Sequence, residues 1–302
     1  TRARRPMIGL ALDAISATAA IQSDGGDFIF GPNTPMPDGG YREWLSAVPN
    51  LLASLPAADA SMPVAVALPG IIRDETVAFT PAQHLEGRNV RRDLQSVLSR
   101  EVSITGFGTA LAAWHADLSD GTEPLAALWI GPSCHGGFIV GGRPVLGAHG
   151  AAGNWAHLEL PSPVPYELDG RQCWCGRNGC LETFLSMQGL EEDYKRVSGM
   201  KMTAAEIAVA AEASDIVAEN IIQVFEDRLG RATATIISLL DPRTIILGGH
   251  APLPDRLCER VPRKWPGYVQ IDCSDTQLRR CTDGMNALAG GAVKALHQGS
   301  DG

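Results

Sequence analysis

Three cysteines fall within ten residues, Cys173-Trp174-Cys175-Gly176-Arg177-Asn178-Gly179-Cys180-Leu181-Glu182. Thiolates are soft, strongly donating ligands, and a C-x-C-x4-C spacing with glycines at the turn can aim all three at one ion. Zinc takes four such donors in a tetrahedron. His157, at the end of Gly150-Ala151-Ala152-Gly153-Asn154-Trp155-Ala156-His157, is the candidate fourth. Four protein ligands leave no open position for water, so the expected zinc is structural, not catalytic. Reduced thiols or a disulfide are the plainer reading of the same cysteines. Glu182, two residues past the last thiol, would be held beside the knot.

Elements must position these residues. Met7–Ile21 reads as two adjacent strands, closed by the Asp24-Gly25-Gly26 turn signal. Tyr41–Leu55 has helical apolar spacing, with Pro49 expected to bend or end it. Val64–Leu68 and Val102–Ile104 read as strands, Val90–Leu98 and Gly108–Asp117 as helices. From Leu125 the opening pattern recurs: strand Leu125–Ile130, the bend Gly131-Pro132-Ser133-Cys134-His135-Gly136-Gly137, strand Phe138–Val140 and the turn Gly141-Gly142. The repetition predicts two related α/β lobes with a boundary near Ser119–Glu123. One lobe is expected over residues 1–120, joined by a C-terminal helix over 284–297, and the other over 121–283. Helices are expected over Thr203–Ala211 and Ser214–Leu240, then strand Thr244–Leu247 ending in Gly248-Gly249. Pro161–Pro165 reads as a rigid surface loop.

Composition narrows the function classes. The 302 residues carry a formal net charge of −9, with 20% charged and 45% hydrophobic residues. That is a globular balance, and it opposes a broad nucleic-acid surface, which needs clustered Lys and Arg. The basic start Thr1-Arg2-Ala3-Arg4-Arg5 is too short to reverse it. Seven cysteines, an odd number, are too few for a disulfide scaffold and fit a reducing cytoplasm. No apolar run approaches the length of about 18 residues that spans a membrane.

Taken in order, Gly131…Gly136-Gly137, Gly147…Gly150-Ala151-Ala152-Gly153…His157, the cysteine cluster with Glu182, and Gly248-Gly249 resemble the ROK family (repressors, open reading frames and kinases) over most of the chain. The resemblance implies an actin-like, ribonuclease-H-like fold of two α/β lobes, with sugar and ATP in the cleft between them. Family kinases move the γ-phosphoryl of ATP-Mg to a hydroxyl of a hexose or N-acetylhexosamine, usually the 6-hydroxyl. Others are sugar-sensing repressors with a helix-turn-helix ahead of this fold. Dimers are usual, so a homodimer is implied here. The resemblance places Asn154, His157, Glu182 and Gly106 at the sugar, and Gly131, Gly248 and Gly249 on the nucleotide side. It makes His157, Cys173, Cys175 and Cys180 the zinc set.

Against that pattern the chemistry of phosphoryl transfer is incomplete. It needs positioned phosphates, a metal and an acceptor for the hydroxyl proton. Where ROK kinases carry Asp-x-Gly-Gly-Thr, this chain has Ala11-Leu12-Asp13-Ala14-Ile15, which puts a carboxylate where phosphate should sit. The loop does not suit ATP. Where the family has Asn-Asp-Ala-Asn, this chain has Gly106-Phe107-Gly108-Thr109, so Phe107 stands at the catalytic base. Losing a general base costs about 10²–10⁴-fold in rate. Phe107 could instead stack on a sugar's C–H face or be a core aromatic at a strand–helix junction. Asn154 replaces the glutamate of Gly-Glu-x-Gly-His; a ligand contact and a turn or cap role both suit it. Glu182 matches the second sugar-binding glutamate, or is a helix-start carboxylate favoured by the dipole. His250 replaces a further glycine after Gly248-Gly249, and a plain strand-to-helix turn is the other reading of that pair. His115, Asp117 and Asp120 are either substitute bases or solvated helix-end residues.

These residues predict a sugar-binding protein on the kinase fold, without efficient phosphoryl transfer and with a sensing or regulatory role. A diverged hexose or N-acetylhexosamine kinase is the alternative. The effector domain of a transcriptional repressor is a further one, requiring a helix-turn-helix ahead of Thr1.

Overall fold

A computed structural model describes residues 5–56, 58–59, 61–119, 121, 123–168, 170–250, 255–270, 272 and 275–299. Its elements, in chain order, begin with β1 (Met7–Leu12), β2 (Ser16–Gln22), β3 (Phe28–Phe30), β4 (Thr34–Pro35), α1 (Tyr41–Ala53), β5 (Val64–Leu68), β6 (Ile71–Arg73) and β7 (Thr76–Phe79). Then follow α2 (Val90–Leu98), β8 (Val102–Gly106), α3 (Phe107–Trp114), β9 (Leu125–Ile130), β10 (Cys134–Val140) and β11 (Arg143–Pro144). The remainder is α4 (Glu182–Leu185), α5 (Met187–Ser198), α6 (Ala204–Glu212), α7 (Ile216–Leu240), β12 (Thr244–Gly249), α8 (Leu257–Arg260), β13 (Gln277–Arg280) and α9 (Met285–Gly299).

Two compact units divide the chain. One comprises residues 1–122, 137–153 and 283–302; the other comprises 123–136 and 154–282. Residues 137–153, read from sequence with the later lobe, group with the first unit.

In the first unit the sheet order is β3-β2-β1-β5-β8, with β4 also on β2. β1 runs antiparallel to β2 and parallel to β5, and β5 runs parallel to β8. The strands β1, β2 and β5 are buried at every position, as expected of a sheet covered on both faces. Ile8, Leu10, Leu12, Val64, Val66 and Leu68 form one core with Trp44, Val48, Leu51 and Leu52 of α1 and Val90 and Leu94 of α2. Helix α9 packs against α3 and against β1, β2 and β5. Pro49 does not end α1, one of the two effects expected of it. The turn beyond it is anchored by the buried Leu51 and Leu52, whose packing outweighs the lost backbone bond.

In the second unit β12 lies between β9 and β13, parallel to both. Strand β10 starts there and continues into the first unit after Gly136. Helix α7 runs unbroken for 25 residues from its N-cap Asp215, whose carboxylate accepts from the Ala218 N–H at 2.8 Å. α6 opens with a capping box: Thr203 accepts from the Glu206 N–H and Glu206 accepts from the Thr203 N–H. Among the described residues no helix is long and apolar enough to cross a membrane.

Candidate functional site

The metal candidate is assembled from two loops of the second unit. His157 ends a short 3-10 helix, Trp155–His157, and the cysteines come from the turn over 173–180. Gly176 and Gly179 take φ of +86° and +72°, a left-handed conformation that side chains resist, and so let the turn fold back on itself. An isolated bridge between Glu159 and Cys180 joins the two loops, and one between Gln172 and Asn178 closes the cysteine turn. All four ligand atoms lie within 4.8 Å of one another. The Cys173 sulfur is 3.6 Å from His157 Nδ1, and the sulfurs of Cys175 and Cys180 are 3.6 Å apart.

Those separations fit the donor set to a tetrahedral ion. Zn–S bonds of about 2.3 Å place two sulfurs about 3.8 Å apart, and a sulfur and a nitrogen slightly closer. The protonation chemistry is consistent. Burial pushes the Cys173 thiol up to about 12, so a cation is needed to hold it as thiolate. Burial, with Arg177 nearby, pushes His157 down to about 4, leaving a neutral imidazole able to ligate. Three thiolates and one imidazole close the site, so zinc bound there would fix the loop and leave no coordination position for catalysis.

Glu182 lies directly beside this cluster, at the start of α4, and is buried. Its Oε2 accepts from the Cys134 N–H at 2.8 Å and its Oε1 from the Trp174 indole N–H at 3.1 Å. Burial holds its pKa above the ordinary glutamate value despite these two donors. Trp174 also stands edge-on to the His157 ring, centroids 4.8 Å apart. His157, Trp174 and Glu182 therefore form one rigid group. Sequence reasoning paired His157 with Glu182 and missed Trp174, whose signal was a large aromatic in an otherwise polar turn. The donation from the Cys134 backbone left no signature in the sequence.

Deeper support comes from charges the sequence reading passed over. Arg171, just ahead of the cysteines, donates to the Thr183 carbonyl at 2.9 Å and pairs with Asp193 of α5. Asp193 also pairs with Arg228 of α7, and Glu167 accepts from Arg228 at 2.7 Å and from Arg231 at 3.0 Å. The guanidinium groups of Arg171 and Arg228 each lie over the Phe184 ring. These charges are scattered over some sixty residues and share no motif.

The remaining sugar-side candidates differ in what surrounds them. Asn154 precedes the 3-10 helix without a side-chain capping bond, and its amide makes no hydrogen bond among the described residues. Gly106 ends β8, and a Cβ there would lie 3.0 Å from the Gly70 carbonyl oxygen, so a larger residue would require that loop to yield. Phe107 begins α3 at 1% exposure, in the first unit. The ring is a core aromatic, and the stacking role considered for it has no exposed face to use.

On the nucleotide side, the β1–β2 turn is closed by its own side chain. Asp13 Oδ1 accepts from the Ala14 N–H at 2.7 Å, and the Trp44 indole donates to the Asp13 carbonyl at 2.9 Å. Gly248 and Gly249 pair with Trp129 and Ile130 as the end of β12. They extend the strand and are not yet a turn. Gly131 N–H donates to the Ser133 carbonyl, and its carbonyl accepts from Met187. Asp117 pairs with Lys294 on the surface, His115 follows the last turn of α3, and Asp120 lies outside the described residues. Thr1 to Arg4 of the basic start also lie outside them.

The sequence matches the ROK family over residues 8–298. The chain belongs to the ROK family. It is 29% identical over 217 residues to an N-acetyl-D-glucosamine kinase of Pectobacterium carotovorum, covering 68% of this chain and 70% of that one. Its fold is similar to a ROK glucokinase from Streptomyces griseus in complex with glucose and AMPPNP, with TM-score 0.83 and 20% identity over 95% and 97% of the two chains. It is similar also to a ROK transcriptional regulator, a homolog of the E. coli MLC protein, with TM-score 0.79 and 20% identity over 97% and 79%. The α/β sugar-kinase fold of the ROK family is thus that of this chain.

Proposed function

We propose that this ROK protein binds a hexose or N-acetylhexosamine and does not transfer phosphoryl groups efficiently, so that it acts as a sensor or regulator. The observation that carries this reading is the Asp13–Ala14 hydrogen bond. An amide that a phosphate would need is taken by the loop's own carboxylate, and the same charge repels phosphate oxygens. Phe107 adds to it, since a buried phenyl ring at the base position accepts no proton. The sugar side is better preserved: His157 and Glu182 are present, ordered by Trp174 and the cysteine turn. In this reading His157, Cys173, Cys175 and Cys180 hold a structural zinc, and Asn154 offers its amide to the ligand. The protein works as a cytoplasmic homodimer.

Calorimetry and thermal shift with glucose, N-acetylglucosamine and N-acetylmannosamine, with and without MgATP, test the proposal. The expected result is stabilisation by one sugar, no nucleotide effect, and no ADP release in a coupled assay. Robust ATP-dependent phosphorylation of any of these sugars would sink it.

A diverged kinase is the second reading, supported by the naming of the Pectobacterium relative as an N-acetyl-D-glucosamine kinase. It requires a base other than Phe107 and a different hold on the phosphates. Turnover that survives Asp117→Asn, His115→Gln and Asp120→Asn would remove the substitute bases considered for it.

A further inference from the structure

The turn that carries the cysteines also carries a tryptophan that the metal chemistry does not use. Of the six tryptophans, Trp44, Trp129, Trp155 and Trp265 are buried and Trp114 is half-buried, whereas Trp174 is 39% exposed. An indole left open to water forgoes the burial that usually stabilises it. Flexibility does not explain this one. Its N–H is committed to Glu182 at 3.1 Å, and its ring stands perpendicular to that of His157, so both position and tilt are fixed.

The exposed part of the ring borders a cavity of about 430 Å³ in the second unit. That is the size range of small-molecule pockets. Around it stand the Glu182 carboxyl, Gln188, Glu192 and Arg196. An immobilised aromatic face beside a half-ring of hydrogen-bonding groups has a specific complement. A pyranose presents polarised C–H groups on one face and hydroxyls around its rim. The C–H face suits the electron-rich face of the indole, and the rim suits carboxylates, an amide and a guanidinium.

We infer that Trp174 is the stacking platform for the sugar ring. This rests on the sugar-binding reading above and names the contact that sets specificity within it. The ring's apolar face lies on the indole, and the hydroxyl edge turns toward Glu182 and Gln188.

The single exposed tryptophan makes the test direct. Iodide quenching of intrinsic fluorescence reports chiefly on Trp174 in the intact protein, and is measured with and without saturating glucose or N-acetylglucosamine. The sugar that binds by calorimetry should reduce the iodide-accessible emission by about half or more. Trp174→Ala should raise the dissociation constant about tenfold, the loss expected for one aromatic contact. Trp174→Phe, which keeps a ring, should stay within about threefold of wild type. If the alanine variant fails to fold, the wild-type quenching and the phenylalanine variant still decide. Sugar binding with unchanged quenching and unchanged affinity in the variants overturns the platform and leaves the sugar reading standing. No binding of any pyranose overturns both.

Discussion

The carboxylate of Asp13 accepts a hydrogen bond from the backbone N–H of Ala14, 2.7 Å away, and so closes the turn between β1 and β2 from within. The turn is therefore self-sufficient: it needs no ligand to satisfy that amide. Replacing the pair by glycines removes the charge and frees the amide. Asp13→Gly/Ala14→Gly is expected to gain MgATP binding, seen as a thermal shift absent from wild type. A ligand at ten times its dissociation constant stabilises by about 1.4 kcal/mol. Turnover should stay absent, because Phe107 is unchanged. A wild-type shift equal to that of the variant would contradict the argument.

The cysteine–histidine group makes a prediction about protons as well as metal. Burial holds the Cys173 and Cys180 thiols above their ordinary pKa, so the metal-free protein keeps them protonated near neutrality. Zinc added to chelator-treated protein should release at least two protons per ion, one each from Cys173 and Cys180, detectable with a pH indicator. The same addition should raise the melting temperature by several degrees, and Cys180→Ser should lose both responses. Elemental analysis giving well under one zinc per chain, with no stabilisation on adding it, would count against a structural metal.

Much of this architecture was legible in the sequence because its cues are local. Fully buried strands such as Val64–Leu68 read as continuous apolar runs, and α7 declared itself by period and length. That His157, Cys173, Cys175 and Cys180 come together was legible because the spacing of the three cysteines is a short-range property. Whether α1 would run on past Pro49 was not legible, because the penalty for Pro49 is local, while the burial of Leu51 and Leu52 that overrides it is not. Phe107 left two roles open until its exposure was known. The partners of Glu182 were invisible for a further reason: one is a backbone amide 48 residues away, and backbone donors carry no identity.

Phe107 now yields a stability prediction. Its ring is 1% exposed at the N-terminus of α3. Truncating a buried phenylalanine costs about 3–5 kcal/mol through lost transfer energy and the cavity left behind. Phe107→Ala should therefore destabilise by that amount in urea unfolding while leaving zinc content unchanged. A loss below about 1 kcal/mol would show that the ring is not part of the core.

Glu167 sits between two arginines of α7, accepting from Arg228 at 2.7 Å and Arg231 at 3.0 Å. All three side chains are buried. Removing the carboxylate leaves Arg228 with Asp193 and Arg231 with Asp227, two buried guanidinium groups each short of one partner, and breaking such a buried pair costs about 3–5 kcal/mol. Glu167→Ala should show that loss in equilibrium unfolding, whereas Glu192→Ala, which breaks only an exposed pair with Lys195, should cost under about 1 kcal/mol. Similar losses in the two variants would mean the network contributes nothing beyond surface pairing.

His135 sets a pH dependence whose sign follows from its surroundings. Burial pushes its pKa down to about 3, with His157 and His250 nearby acting in the same direction. In the unfolded chain a histidine titrates near about 6.5. Between those values the unfolded state binds a proton that the folded state refuses. Stability from this group is thus fully present above the unfolded value and is lost as pH falls toward the folded one. One proton corresponds to a slope of at most about 1.4 kcal/mol per pH unit. Urea unfolding at pH 7.5, 6 and 5 should show a shallower acid-side slope in His135→Gln than in wild type, with little difference at pH 7.5. Parallel stability curves across that range would show that His135 takes up its proton in the folded protein as readily as in the unfolded chain.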